Sequence, residues 1–370
     1  MKHGLLKILS AALCAVTVAC PVDAPAKTTA RTTTASGRTA IPTRSANPYL
    51  GAIVEDAATG QVLFEDKADA AGYPASVVKL MDMCVILDRV ENGQLSLSNS
   101  VEITREASDV GGTQVWLKEK EVFTVDELLY ALMLRSANDA AVALAIGVAG
   151  SQAGFVDLMN RKASELGLSR THFTSVHGLP PTGGRAPDVS TPRDLALLAR
   201  SLLKHETILR YTSTRARVFR AGSPHHIDME NHNHLLGAYP GCDGLKTGFF
   251  TQGGFSLVAT AQRGGRRVVA VLLGCADRKA RDKKAAELLS KGFAALPALP
   301  PPAPAIANMP PATNLLPATA SSDNDEEEGN GPPESGLRGW GGILIGVGVG
   351  VVAASIVFVV RGRRSKNSPF

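Results

Sequence analysis

An α+β fold, with one antiparallel sheet flanked by helices, is predicted by the order of strand and helix patterns along the body of the chain. Segments 49–55 and 61–66 flank Ala57-Ala58-Thr59-Gly60 and read as a β-hairpin. Segments 255–262 and 266–274, joined across Gly264-Gly265, read as a second. Nearly everything between them is patterned for helix. The sheet is therefore expected to be completed by both ends of the domain and covered by the helices between.

Each helix has its own start or stop. Segment 76–90 is apolar, begins just after Pro74 and is stopped by Gly93. Thr124-Val125-Asp126-Glu127 is a capping box that opens a helix toward Leu134. Ser151 caps a helix ending at Gly167, and Thr191-Pro192 starts another that runs to Leu203. Segment 279–295 closes the domain as an amphipathic helix. No internal repeat is visible.

Composition narrows the classes. Hydrophobic residues make up 44% of the 370 and charged residues 20%, which excludes a mainly disordered or collagen-like chain. The net charge of +5 and 5% aromatics are too dilute for a nucleic-acid surface, so no such partner is expected. Five cysteines, two of them in the N-terminal apolar stretch, are too few for a disulfide scaffold.

The ends predict a compartment. Residues 1–26 read as a secretory signal: Lys2 and Lys7 precede an apolar run, 8–19, too short to span a bilayer. Ala24-Pro25-Ala26 suits ordinary cleavage. Val18-Ala19-Cys20 competes as a lipoprotein box, with Thr17 where an aliphatic residue is usual. Residues 27–46 read as a disordered leader, 47–296 as the folded domain, and 297–338, with ten prolines and an acidic cluster, as a linker. The uncharged 21-residue run 340–360 is long enough for a single transmembrane helix. The basic tail 361–370 places the C-terminus in the cytoplasm and the domain on the outer side of the membrane.

Three short motifs carry chemistry. Ser76-Val77-Val78-Lys79 puts a hydroxyl and an amine one helical turn apart, on one face. A serine needs a base to become a nucleophile, and a lysine serves when burial or a nearby cation lowers its pKa. Ser201-Leu202-Leu203-Lys204 has the same spacing but lies at a helix C-terminus, away from oxyanion-stabilising amides. Ser136-Ala137-Asn138, in a break between helices, offers a proton-relaying hydroxyl and an amide that can hold a peptide group. Lys246-Thr247-Gly248, leading into a strand, offers a cation for a carboxylate or for depressing Lys79, a hydroxyl, and a residue that lets a ligand approach the backbone.

In this order the three motifs resemble the active-site set of penicillin-binding proteins and class A β-lactamases. Thr171-His172-Phe173, His177-Gly178-Leu179, Ser190-Thr191-Pro192-Arg193-Asp194-Leu195-Ala196, Asn231-His232-Asn233-His234-Leu235-Leu236 and the run from Gly241 to Gly248 extend the resemblance. They point to the D-alanyl-D-alanine carboxypeptidase family, peptidase family S11, over about 47–296. The resemblance implies a five-stranded sheet and a serine carboxypeptidase acting on peptidoglycan stem peptides, with β-lactams as covalent inhibitors. Ser76 would be the nucleophile, Lys79 the base, and Ser136 the group that protonates the leaving amine. Asn138 would hold the peptide, Lys246 and Thr247 the terminal carboxylate, and the amides of Ser76 and Phe249, the residue after Gly248, the oxyanion. Arg281 is a second carboxylate candidate, weighed against a solvated arginine on the last helix. A D,D-endopeptidase and an inactive peptidoglycan-binding module are the alternatives.

Two features depart from the pattern. Many members carry a β-rich C-terminal domain, where here a proline-rich linker follows; and Cys242 replaces the usual aliphatic residue before Asp243. No cofactor is expected. His225, His226, His232 and His234 fall within ten residues but lack a zinc-ligand pattern, so no metal is expected either. Glu165-Leu166-Gly167-Leu168-Ser169 reads as a capped helix end and not as the deacylating-glutamate loop of a class A β-lactamase.

Overall fold

The structure, a computed structural model, describes residues 48–297. The expected signal and leader, nearly all of the linker, the membrane span and the tail lie outside the described residues. Among the described residues, no single helix is long and apolar enough to cross a membrane.

The chain opens with the hairpin β1 (Gly51–Asp56) and β2 (Val62–Asp66). A 3-10 turn, Ala75–Val78, leads into α1 (Lys79–Glu91). Then come β3 (Ser100–Glu102), α2 (Arg105–Ser108), β4 (Val122–Thr124) and α3 (Val125–Tyr130). A wide turn, Ala131–Arg135, is followed by α4 (Asn138–Ala149), α5 (Gln152–Glu165), α6 (Pro192–Leu202) and α7 (Ile208–Thr212). The small hairpin β5 (Ala216–Phe219) and β6 (Ile227–Glu230) precedes the long strands β7 (Cys242–Phe250), β8 (Gly254–Arg263) and β9 (Arg266–Cys275), and α8 (Arg278–Ala295) closes the domain.

The predicted fold holds. Five strands form one antiparallel sheet in the order β2-β1-β9-β8-β7, so the first hairpin and the last three strands meet at β1 and β9. Alternate residues feed two cores, as the period of a strand requires. Ile53, Val258, Val269 and Val271 join the core made with α1, α4 and α6. Ala52, Val54, Ala270 and Leu272 face Ala285, Leu288 and Leu289 of α8.

Helix α1 is buried continuously from Lys79 to Leu87, the signature of a central helix, and it carries three titratable groups, Lys79, Asp82 and Cys84, into the core. The capping box forms as read: Thr124 Oγ1 accepts from the Glu127 amide at 3.2 Å, and Glu127 Oε2 accepts from the Thr124 amide at 3.1 Å. Ser151 and Thr191 cap α5 and α6. Gly167 follows the end of α5 with φ +72°. Two small two-stranded sheets were not read from the sequence, β3–β4 and β5–β6; at three to four residues a strand shows no usable alternation.

Candidate active site

Ser76 lies in the turn ahead of α1, and Lys79 is the first residue of that helix. The turn opens on Ala75 in the left-handed region, φ +51°, a strained placement for a residue with a side chain. Lys79 is fully buried, and its Nζ has three neighbours: Asn138 Oδ1 at 2.8 Å, the His177 carbonyl at 2.8 Å and Ser76 Oγ at 3.2 Å. Burial pulls the Lys79 pKa down to about 8; the carboxyls of Asp82, Asp188 and Asp139 oppose this only so far as each is ionised. Desolvation, and not the neighbouring cation Lys246, is what lowers it.

Burial raises all three of those acids, but they differ in their donors. Asp139 accepts from the amides of Val115, Leu117 and Ala140, and Asp188 from those of Thr174 and Ser175 and from Ser175 Oγ. Neither oxygen of Asp82 has a partner among the described residues. A buried carboxyl without donors holds its proton, so Asp82 adds no full negative charge beside Lys79.

The second motif hangs on the turn between α3 and α4. Ser136 is left-handed, φ +60°, and its buried Oγ has no partner among the described residues, which leaves it free to exchange a proton. Asn138 is committed inside the protein: Oδ1 accepts from Lys79 and Nδ2 donates to the Gly111 carbonyl at 2.8 Å. It is thus a holder of Lys79 before it is a holder of substrate, a role that S-x-N spacing could not reveal.

Lys246-Thr247-Gly248 lies inside edge strand β7 and not ahead of a strand, because pairing with β8 starts at Cys242. Gly248 is required by contact. A Cβ there would lie 2.4 Å from the Pro74 carbonyl oxygen and 3.1 Å from the Val77 amide, so β7 presses directly on the nucleophile turn. Gly178, at φ +73°, does the same from the other side, where a Cβ would meet the Ala75 carbonyl at 2.2 Å. Lys246 is buried, with Nζ donating to the Thr247 carbonyl at 2.9 Å. Its pKa is pushed well below the usual lysine range by burial, then by Lys79 and Arg281.

These elements surround a cleft of about 270 Å³ lined by Ser76, Ser136, Thr247, Gly248 and Phe249, together with Thr113, His232, His234, Phe255, Arg278 and Arg281. Among its described lining residues none is a carboxylate. Arg281 corrects the solvated alternative: it is 2% exposed, with Nε and Nη2 held on Asp282 Oδ1 at 2.8 and 2.6 Å. Phe249 is half exposed and stacks on Phe255 at 4.1 Å. His232 is held neutral, its pKa pushed down to about 4 by burial and then by Lys246. Thr113, Arg278 and the His177 carbonyl were not singled out from the sequence. Only the last had a nearby marker, the His177-Gly178-Leu179 run, and no spacing rule identifies a carbonyl acceptor. The second S-x-x-K, at Ser201, lies in the last turn of α6, and the Glu165 segment lies at the end of α5; neither lines the cleft.

The Ser76 hydroxyl, the buried Lys79 amine, the unpartnered Ser136 hydroxyl and the cationic cleft have the make-up that serine acyl transfer requires, on one edge of an antiparallel sheet. The profile of the D-alanyl-D-alanine carboxypeptidases of peptidase family S11 matches residues 39–277, and the chain belongs to that family. It is 34% identical over 248 residues to the D-alanyl-D-alanine carboxypeptidase DacF of Bacillus subtilis, covering 67% of this chain and 63% of that one. It is 36% identical to DacC of Escherichia coli over 248 residues, covering 65% and 60%. The chain therefore spans less than two thirds of the length of these curated relatives. Penicillin-Binding Protein D2 of Listeria monocytogenes, solved in its ampicillin-bound form, superimposes with a TM-score of 0.60 at 34% identity, over 66% of this chain and 97% of that one.

Proposed function

We propose that this chain is a serine D-alanyl-D-alanine carboxypeptidase that removes the terminal D-Ala of peptidoglycan stem peptides through an acyl-enzyme on Ser76. The geometry at Lys79 carries the reading. A neutral lysine has two N–H donors and one lone pair. Asn138 Oδ1 and the His177 carbonyl take the two hydrogens, which leaves the lone pair for the Ser76 hydroxyl at 3.2 Å.

A peptide laid along the open edge of β7 would pair with the strand carrying Lys246-Thr247-Gly248. Ser76 Oγ then attacks the penultimate carbonyl as its proton passes to Lys79. The Ser76 and Phe249 amides receive the oxyanion. Ser136 Oγ hands a proton to the leaving D-Ala amine and takes one in return from Lys79. Water then attacks the acyl group, giving one proton to Lys79, which returns it to Ser76 Oγ as the ester breaks. Fluorescent penicillin should label the chain covalently on the peptide containing Ser76, and D-Ala should be released from a D-Ala-D-Ala peptide. An unlabelled chain would favour the inactive binding module. The lack of a carboxylate in the cleft lining also predicts slow loss of the penicilloyl group. Rapid turnover of benzylpenicillin would point to a β-lactamase.

A free terminal carboxylate suits the cationic end of the cleft, with Arg281 and the Thr247 hydroxyl facing it and Lys246 buried behind. This favours trimming over crosslink cleavage. Arg281→Lys keeps the charge but loses the planar fork, and should lower kcat/KM for a free-carboxylate peptide by on the order of 10- to 100-fold, the worth of a charged hydrogen bond. The C-terminal amide of the same peptide should be hydrolysed at the same rate by both proteins. An equal loss on both substrates would remove Arg281 from carboxylate binding.

We also propose that the domain works outside a membrane, tethered through residues 297–338 to a single span at 340–360 with a cytoplasmic C-terminus. The support is the uncharged 21-residue run and the basic residues that follow it. A Gly/Ser replacement of equal length should preserve trimming of wall in cells. A large deletion should reduce it while sparing a soluble peptide. Loss of soluble-peptide activity on equal-length replacement would mean that the linker packs on the domain.

A further inference from the structure

Away from the cleft, helix α1 carries a second cluster. Cys84 and Asp88 are one turn apart on it, and His205, just beyond α6, reaches the same place. One donor atom from each falls within 4.8 Å of the others. Cys84 and His205 are buried, while Asp88 opens toward solvent.

Each residue also has a further neighbour. Glu91 Oε1 is 2.6 Å from His205 Nδ1, Lys162 Nζ is 2.6 Å from Asp88 Oδ2, and the Ser201 side chain lies beside Cys84. The Glu91 carboxylate fixes the Nδ1–H tautomer, so the Nε2 lone pair of a neutral His205 points at Asp88 Oδ1, 3.4 Å away. Either a proton on Nε2 or a metal ion can lie between these two atoms, and the sulfur beside them suits the metal. Tetrahedral zinc, with bonds of about 2.0–2.3 Å, holds its ligand atoms roughly 3.3–3.8 Å apart, which the 3.4 Å spacing already meets.

We propose that Cys84, Asp88 and His205 form a divalent-metal site of the zinc class, with water as the fourth ligand and with Glu91, Lys162 and Ser201 holding the three ligands in place. A thiolate, an imidazole and a carboxylate form a ligand set typical of Zn²⁺ and Co²⁺. Carboxylate–histidine–metal relays are the usual way such a histidine is oriented. Binding replaces the thiol proton of Cys84, which goes to solvent, so one proton leaves per ion. The groups facing the site are Asp88, Glu91, Lys162, Glu165 and His205. The ion would tie α1 to the end of α6 and would take no part in the chemistry at Ser76.

The test uses the full-length chain in detergent, stripped with chelator and titrated with Co²⁺ and then Zn²⁺. One Co²⁺ per chain should bind with micromolar or better affinity and give a thiolate-to-cobalt charge-transfer band that Zn²⁺ bleaches. Cys84→Ala and His205→Gln should lose the band and the bound metal, and Glu91→Gln should weaken binding tenfold or more. All three should still be labelled by penicillin on Ser76, which shows that the domain is folded. Absence of binding in the labelled wild type would leave a protonated His205 in an ion-pair network and overturn the proposal. Full binding in Cys84→Ala and His205→Gln would place the metal elsewhere and overturn it equally.

Discussion

Alanine at Lys79 is expected to slow acylation of Ser76 by a factor of about 10²–10⁴, the usual worth of a positioned general base. The pH dependence makes the test specific. A lysine titrating at about 8 is about one-tenth neutral at pH 7, and only the neutral form has a lone pair for the Ser76 proton. Acylation by benzylpenicillin should therefore rise about tenfold per unit below pH 7, about fivefold between pH 7 and 8, and level off above that. In Lys79→Ala the residual rate should lose that limb. Asp82→Asn should leave the midpoint near 8, because a carboxyl without donors is already neutral; a midpoint displaced downward would show that Asp82 carries charge beside Lys79. Wild-type acylation by Lys79→Ala would remove lysine from the role of base.

What the sequence could say about this site depended on how locally each part is encoded. Ser76 and Lys79 are three residues apart on one turn, so their spacing alone gives their contact. The sheet was legible because its outer hairpins have long, well-bounded strands. The partners that hold the Lys79 amine were not legible. Asn138 is 59 positions away and the His177 carbonyl 98, and both reach Lys79 only after the helices pack around α1. Their roles are tertiary, and a backbone carbonyl has no residue type to mark it. Lys246 is a further case: its place in the motif was read, but its burial and its hydrogen bond to the Thr247 carbonyl were not. Arg281, read as equally consistent with solvent, is in the cleft because α8 packs over β8 and β9.

The glycine of the third motif gives the other large effect. Gly248→Ala is expected to lower acylation on the order of 100-fold with a much smaller change in overall stability. The added methyl would sit 2.4 Å from the Pro74 carbonyl and 3.1 Å from both the Val77 amide and Val77 Cγ2. Two of these three contacts are backbone, so no side-chain rotation relieves them. Either β7 or the Ala75–Val78 turn must move by roughly 1 Å, and a displacement of that size at a reacting centre costs about two orders of magnitude. Both halves of the site share that contact. The turn carries Ser76, and the strand carries Thr247 and the Phe249 amide, so separating them opens the oxyanion position and moves the substrate edge away from the nucleophile together. Because β7 is at the edge of the sheet, the shift can be absorbed without breaking the central pairs of β1 with β9. Urea unfolding would measure the stability term, and the second-order rate of penicillin labelling the catalytic one. Wild-type labelling by a folded Gly248→Ala protein would show that the turn and the strand are not held in register by this contact.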